Sequence, residues 1–176
     1  LAAGDPVTVD VREEVDAVIT AANEREPNAS IECVVDESAT TTIDARRDAV
    51  RAMLENTVEN ALDHHDGEGT ARDDGGVWAQ VTLRNTTTDA GDDQADLVIV
   101  VEDDGPGIPE HEVAAIESGR ETALEHGSGL GLWVIEWSAS VLGATVTYAN
   151  RTPRGTRVTI RLPTTTVSRS GSEAPT

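Results

Sequence analysis

The sequence contains no lysine and no phenylalanine, and only one cysteine, Cys33. All thirteen basic residues are therefore arginine, set against thirty-three acidic ones, and the formal net charge is −20. One cysteine excludes an intrachain disulfide and a cysteine-built zinc centre. So negative a surface repels nucleic acid and anionic membranes, which excludes both as partners drawn in by the surface field. No apolar run approaches the roughly 20 residues that span a bilayer. No signal peptide is visible either.

What is there points to a folded domain. The 176 residues suffice for one domain with a proper core. Acidity of this degree also suits disordered chains, but here apolar periodic segments alternate with polar loops. The excess of Asp, Glu and Thr without lysine resembles proteins of halophilic archaea. At 1 M salt the charges would be screened within about 3 Å, so the composition reads as habitat rather than mechanism. Cys33 lies in a strand pattern, Ile31 to Val35, and is expected to be a buried, inert thiol. Because the chain begins on Leu1, it is expected to be a segment of a longer protein.

Val11, Val15, Val18 and Ile19 recur at helical spacing and predict a helix over 11–26, closed by Pro27. Residues 30–36 and the Thr-rich patch at 40–43 predict strands. Asp44 is a candidate N-cap for a second helix running to about His65, with an apolar stripe through Val50, Met53, Leu54, Val58, Ala61 and Leu62. Gly- and Asp-rich stretches at 66–76 and 86–96 are loops. Between them 77–84 alternates as a strand, and Leu97 to Val101 suits a buried central one. A short helix over 109–118, a helix over 130–142, and a hairpin of 144–150 with 156–162 complete the set. Trp133, Trp137 and Val141, at four-residue steps, predict an aromatic face packed on the sheet. The layout implies a two-layer α/β sandwich, with a mixed sheet and helices on one face. Residues 1–6 read as the end of an upstream linker or helix, 7–163 as the domain, and 164–176 as a disordered tail.

Three motifs carry the chemistry. Asn56 and Asn60, four residues apart, share one face of the second helix. An Asn carbonyl is a hard oxygen suited to Mg²⁺; the alternative is plain surface polarity. Asp104 follows the apolar strand and precedes Gly105-Pro106-Gly107. A carboxylate there can accept from an adenine amino group, and the glycines let backbone approach the ring; the alternative is a tight Asp-Gly turn. Glu102 and Asp103 are expected to be exposed strand-end charges. Gly127, Gly129 and Gly131 open the late helix, where backbone N–H groups and the positive helix end can hold phosphates. Their spacing is not that of a dinucleotide fold, and without lysine there is no Walker site.

In this order the motifs resemble the N, G1 and G2 boxes of the GHKL ATP-binding superfamily, which includes sensor histidine kinases; the resemblance spans residues 7–163. It implies a Bergerat-type α+β fold holding ATP and Mg²⁺. It makes Asn60 the magnesium ligand and Asn56 a phosphate-side, catalytic residue. Adenine would meet Asp104, Gly105 and Gly107, with Thr156 helping through water. The phosphates would meet Gly127, Ser128, Gly129, Leu130, Gly131 and Leu132. Hydrolytic relatives carry a Glu base where this chain has Asn56, an amide that cannot take a proton at neutral pH; histidine kinases carry Asn there. Asp63 and His64 depart from the Lys and Tyr that often follow in the N box, and the lid expected between G1 and G2, Pro109 to His126, has no Phe to form the F box that bacterial histidine kinases often carry there.

The implied protein is a histidine kinase catalytic domain of haloarchaeal type, acting in the cytoplasm. Its γ-phosphoryl acceptor would be a His on a dimerisation domain absent from this chain, with a response regulator next in line. The alternatives are a nucleotide-binding regulatory module without kinase activity and a hydrolytic GHKL ATPase.

Overall fold

The computed structural model describes residues 4–63, 76–86, 95–108, 114 and 129–164. Helix α1 (Val11–Arg25) follows strand β1 (Val7–Asp10) without a turn. Asp10 ends the strand and caps the helix, its carboxylate accepting from the Arg12 amide at 3.0 Å, so one short side chain satisfies an otherwise orphaned donor. β1 pairs antiparallel with β3 (Thr42–Ala45). Asp44 therefore lies within a strand and accepts from the Thr8 hydroxyl instead of capping. Helix α2 starts later, at Arg47, and runs to Asp63.

The main sheet has the order β2-β4-β5-β7-β6, with β2 Ser30–Val35, β4 Trp78–Asn85, β5 Leu97–Asp103, β6 Thr145–Asn150 and β7 Thr156–Leu162. β2 runs parallel to β4 and the other pairings are antiparallel, so the sheet is mixed. The apolar run at 97–101 becomes the central strand, and the late hairpin forms as expected. α1, α2 and the last helix, α3 (Gly129–Leu142), cover one face. The core lies between the layers: Val15 and Val18 of α1, Met53, Leu54 and Val58 of α2, and Leu132 and Ile135 of α3 meet Val81, Leu83, Ile99, Val101 and Ile160. This is the expected two-layer α+β arrangement.

Ion pairs fasten α1 to α2. Glu14, only 7% exposed, bonds Arg51 at 2.6 Å, and Arg25 bonds Glu59 at 2.8 Å. Apolar burial and paired charges thus fix α2 along one flank, leaving the flank of Asn56 and Asn60 to face α3.

Two further expectations fail. Trp133 and Trp137 are 51% and 47% exposed and do not pack on the sheet. The buried stripe of α3 is Leu132, Ile135, Ser138 and Ala139; Trp133 lies one position, about 100°, past Leu132 and Trp137 two positions, about 200°, past Ile135, which turns both indoles outward. Cys33 is half-buried rather than buried, and burial raises its thiol pKa, which keeps it inert all the same. The helix expected at 109–118 lies outside the described residues except for Ala114, which is helical and exposed. So do the expected tail beyond Thr164 and most of the two acidic loops.

Candidate functional site

Period-two alternation decides which acidic residue at the end of β5 enters the site. Leu97, Ile99 and Val101 face the helices, so Asp103 faces them too. Asp103 is 8% exposed, which corrects the expectation of an exposed strand-end charge. Its Oδ1 accepts from the Gly105 amide at 2.9 Å and the Thr156 amide at 3.3 Å, and its second oxygen is engaged by neither amide. Burial raises the Asp103 carboxyl pKa above its ordinary range, and neighbouring Asp104 adds to the rise. The two amides and Arg151 oppose it. Asp104 is buried as well, but its Oδ1 accepts from the Trp78 amide at 3.3 Å, which ties it to the start of β4.

Gly155 explains how β7 comes so close. Its φ is +116°, and a Cβ there would run into the Asp103 carbonyl oxygen, so only glycine fits. That approach delivers the buried Thr156 to Asp103. Gly105 is buried beside them, and Gly107, at φ +88°, turns the chain away.

On α2, Asn56 donates its Nδ2 to the Ala52 carbonyl at 2.7 Å, which leaves its Oδ1 as the end that can face a ligand. Asn60 lies against α3: a Cβ on Gly131 would be 2.7 Å from its Oδ1. The Asn60 Nδ2 is buried with no hydrogen-bond partner among the described residues, and an orphaned buried donor is expensive unless something else satisfies it. Glu55 and Glu59 point elsewhere, toward Arg51 and Arg25, as their positions on the helix predict.

Of the glycine-rich motif, Gly127 and Ser128 lie outside the described residues. Gly129 and Leu130 form the first turn of α3. Leu132 sends its side chain into the core at 5% exposure, so only its backbone is free for a ligand. The fold thus brings Asn60 against Gly131, and Asp103 against Gly105 and Thr156, all on the helix-facing side of the sheet. Among the described residues no group of three or more His, Cys, Asp or Glu could hold a metal.

The sequence profile of the histidine kinase-, DNA gyrase B- and HSP90-like ATPases matches residues 45–166. The sensor-type histidine kinase PrrB of Mycobacterium bovis is 28% identical over 162 residues, covering 90% of this chain and 32% of that protein. The sensor histidine kinase GtrS of Pseudomonas aeruginosa is 31% identical over 117 residues, 65% of this chain and 21% of that protein. This chain therefore spans about a third or less of the length of these relatives. The catalytic domain of histidine kinase ThkA shares the fold, with a TM-score of 0.70 at 20% identity, over 92% of this chain and 97% of that one.

Proposed function

The chain belongs to the histidine kinase-, DNA gyrase B- and HSP90-like ATPase family, and we propose that it is the ATP-binding catalytic domain of a sensor histidine kinase. It would bind Mg-ATP and pass the γ-phosphoryl group to a His on a dimerisation domain outside this chain, from which a response-regulator Asp would receive it. The observation that carries this reading is the contact of Asn60 with Gly131, which joins the first and third motifs across 71 positions of sequence.

The adenine amino group would donate to Asp103 rather than to the neighbouring Asp104. Asp103 faces the helix layer and has one oxygen beyond reach of its two amide donors, whereas Asp104 is tied to β4. Gly105, Gly107 and Thr156 would line the base. Gly127 to Leu132 would offer backbone N–H groups and the positive end of α3 to the phosphates.

The orphaned Asn60 amide fits a ligand position: turning its amide end for end would put the oxygen where the unpartnered nitrogen lies. Mg²⁺ bound there would neutralise phosphate charge and orient the transferring group. Asn56 would present its Oδ1 on the phosphate side. An amide cannot serve as general base, which favours transfer to an activated acceptor over hydrolysis. Positioning and charge neutralisation, the main requirements of phosphoryl transfer, are what these residues supply.

We place the domain in the cytoplasm, since it needs ATP. No described helix is long and apolar enough to cross a membrane. We place its working range in high salt because of the charge of −20.

Amide chemical shifts recorded while ADP is titrated in molar potassium chloride test the site. The largest changes are expected at Asp103, Gly105, Gly131 and Thr156. Changes confined to other surfaces, or none at millimolar ADP, would refute it.

A further inference from the structure

Within the loop from Asp103 to Ile108, the Gly105 amide donates to the Asp103 carboxylate. The β6–β7 hairpin bonds it at both ends and in the middle. Arg151 donates to the Asp103 carbonyl at 2.8 Å. Arg154 donates through Nε to the Gly105 carbonyl at 3.0 Å. The Ile108 amide donates to the Asn150 Oδ1 at 3.1 Å. That same oxygen would lie 2.7 Å from a Cβ at Gly107, so Asn150 occupies the space that the glycine leaves. The hairpin tip is itself closed by the Arg151 amide on the Gly155 carbonyl at 2.8 Å. Asn150 pairs in register with Thr156, whose amide holds Asp103.

We propose that the tip of the β6–β7 hairpin is a clamp that sets the adenine loop before nucleotide arrives, with Asn150 and Arg154 as its positioning residues. The inference rests on the adenine site proposed above. Each donor or acceptor fixes one peptide plane of the loop: Arg154 orients the Gly105 carbonyl, and Asn150 orients the Ile108 amide. The backbone edge that would meet the base is then already ordered, and binding avoids the cost of ordering it. The two side chains act through the loop and need not touch the ligand.

The test uses the 176-residue chain with Asn150→Ala, Asn150→Asp and Arg154→Ala. ADP affinity is measured by calorimetry, and exchange of the Ile108 amide proton is followed without nucleotide. Asn150→Ala should weaken ADP about threefold to fivefold, the range of one modest hydrogen bond, and speed Ile108 exchange. Asn150→Asp keeps an acceptor oxygen and should restore both to within about twofold, a rescue that general destabilisation would not give. Arg154→Ala should weaken ADP without exposing Ile108, and it carries the test if Asn150→Ala does not fold. Parent-like affinity in both alanine variants, or failure of Asp to rescue, would overturn the clamp. If the parent itself does not bind ADP, the adenine reading fails instead, and Ile108 exchange alone then decides whether Asn150 holds the loop.

Discussion

Asp103→Asn separates the recognition chemistry of the site from its stability. One carboxylate oxygen accepts from Gly105 and Thr156, and an Asn carbonyl can take over that duty. Its NH₂ group then occupies the position of the second oxygen and faces the adenine amino group, donor against donor. The loss is one hydrogen bond to an ionised acceptor, about 1.5–3 kcal/mol, so ADP affinity should fall about 10- to 150-fold. Stability should move the other way. Burial raises the Asp103 pKa above its ordinary 3.8, so the folded state binds the proton more tightly than the unfolded one. The contribution of Asp103 to stability is therefore fully present below that unfolded value and is lost as pH rises through the folded one. At neutral pH the neutral Asn removes a buried charge, and the variant should unfold at the parent temperature or above it. Calorimetric titration and a thermal melt at pH 7, beside Asp104→Asn, decide the matter. An ADP affinity within twofold of the parent, or a larger loss in Asp104→Asn, would refute the assignment.

Asn60→Ala removes an orphaned buried donor and improves helix propensity by about 0.5 kcal/mol. It should keep or raise the melting temperature while losing the difference in nucleotide affinity with and without Mg²⁺. Gly131→Ala places a methyl group against the Asn60 oxygen and should weaken Mg-ADP binding in the same titration, with far less effect on metal-free ADP. Trp133→Gln and Trp137→Gln change half-exposed side chains, so each should shift stability by less than about 0.5 kcal/mol in denaturant titrations.

Much of this architecture is legible in residue patterns. α1, α2, β5 and the closing hairpin follow from strong periodicity or continuous apolar runs, and their ends fall within a few residues of expectation. β1 is not legible, because four residues give too short an alternation and Asp10 serves both as strand end and helix cap. Asp44 looks like a cap because it precedes a helix, but pairing of β3 with β1 carries the chain past it. On α3, stepping by four from Trp133 selects a stripe of large residues that is not the buried one; stepping from Leu132 through Ile135 to Ala139 finds it.

At the site, the glycines and the two Asn residues stand out by spacing. The buried placement of Asp103 is masked in the sequence by the adjacent Asp104-Gly105 turn signal. Counting by two from Leu97 through Ile99 and Val101 would have placed Asp103 on the helix-covered face. Asn150 and Arg154 carry no local motif at all, since their meaning depends on a loop more than 40 residues away.

The proposed activity is phosphoryl transfer by a domain with Asn56, an amide, where hydrolytic relatives carry a Glu base. Its most direct test is γ-labelled ATP with Mg²⁺ in molar potassium chloride, following label on a separately supplied helical-hairpin domain bearing the acceptor His beside release of free phosphate. Absence of a general base typically costs about 10²- to 10⁴-fold, so the chain alone should hydrolyse ATP very slowly, while label should accumulate on the acceptor. Brisk phosphate release without any acceptor, or no label on a cognate acceptor under conditions where ATP is bound, would contradict the account.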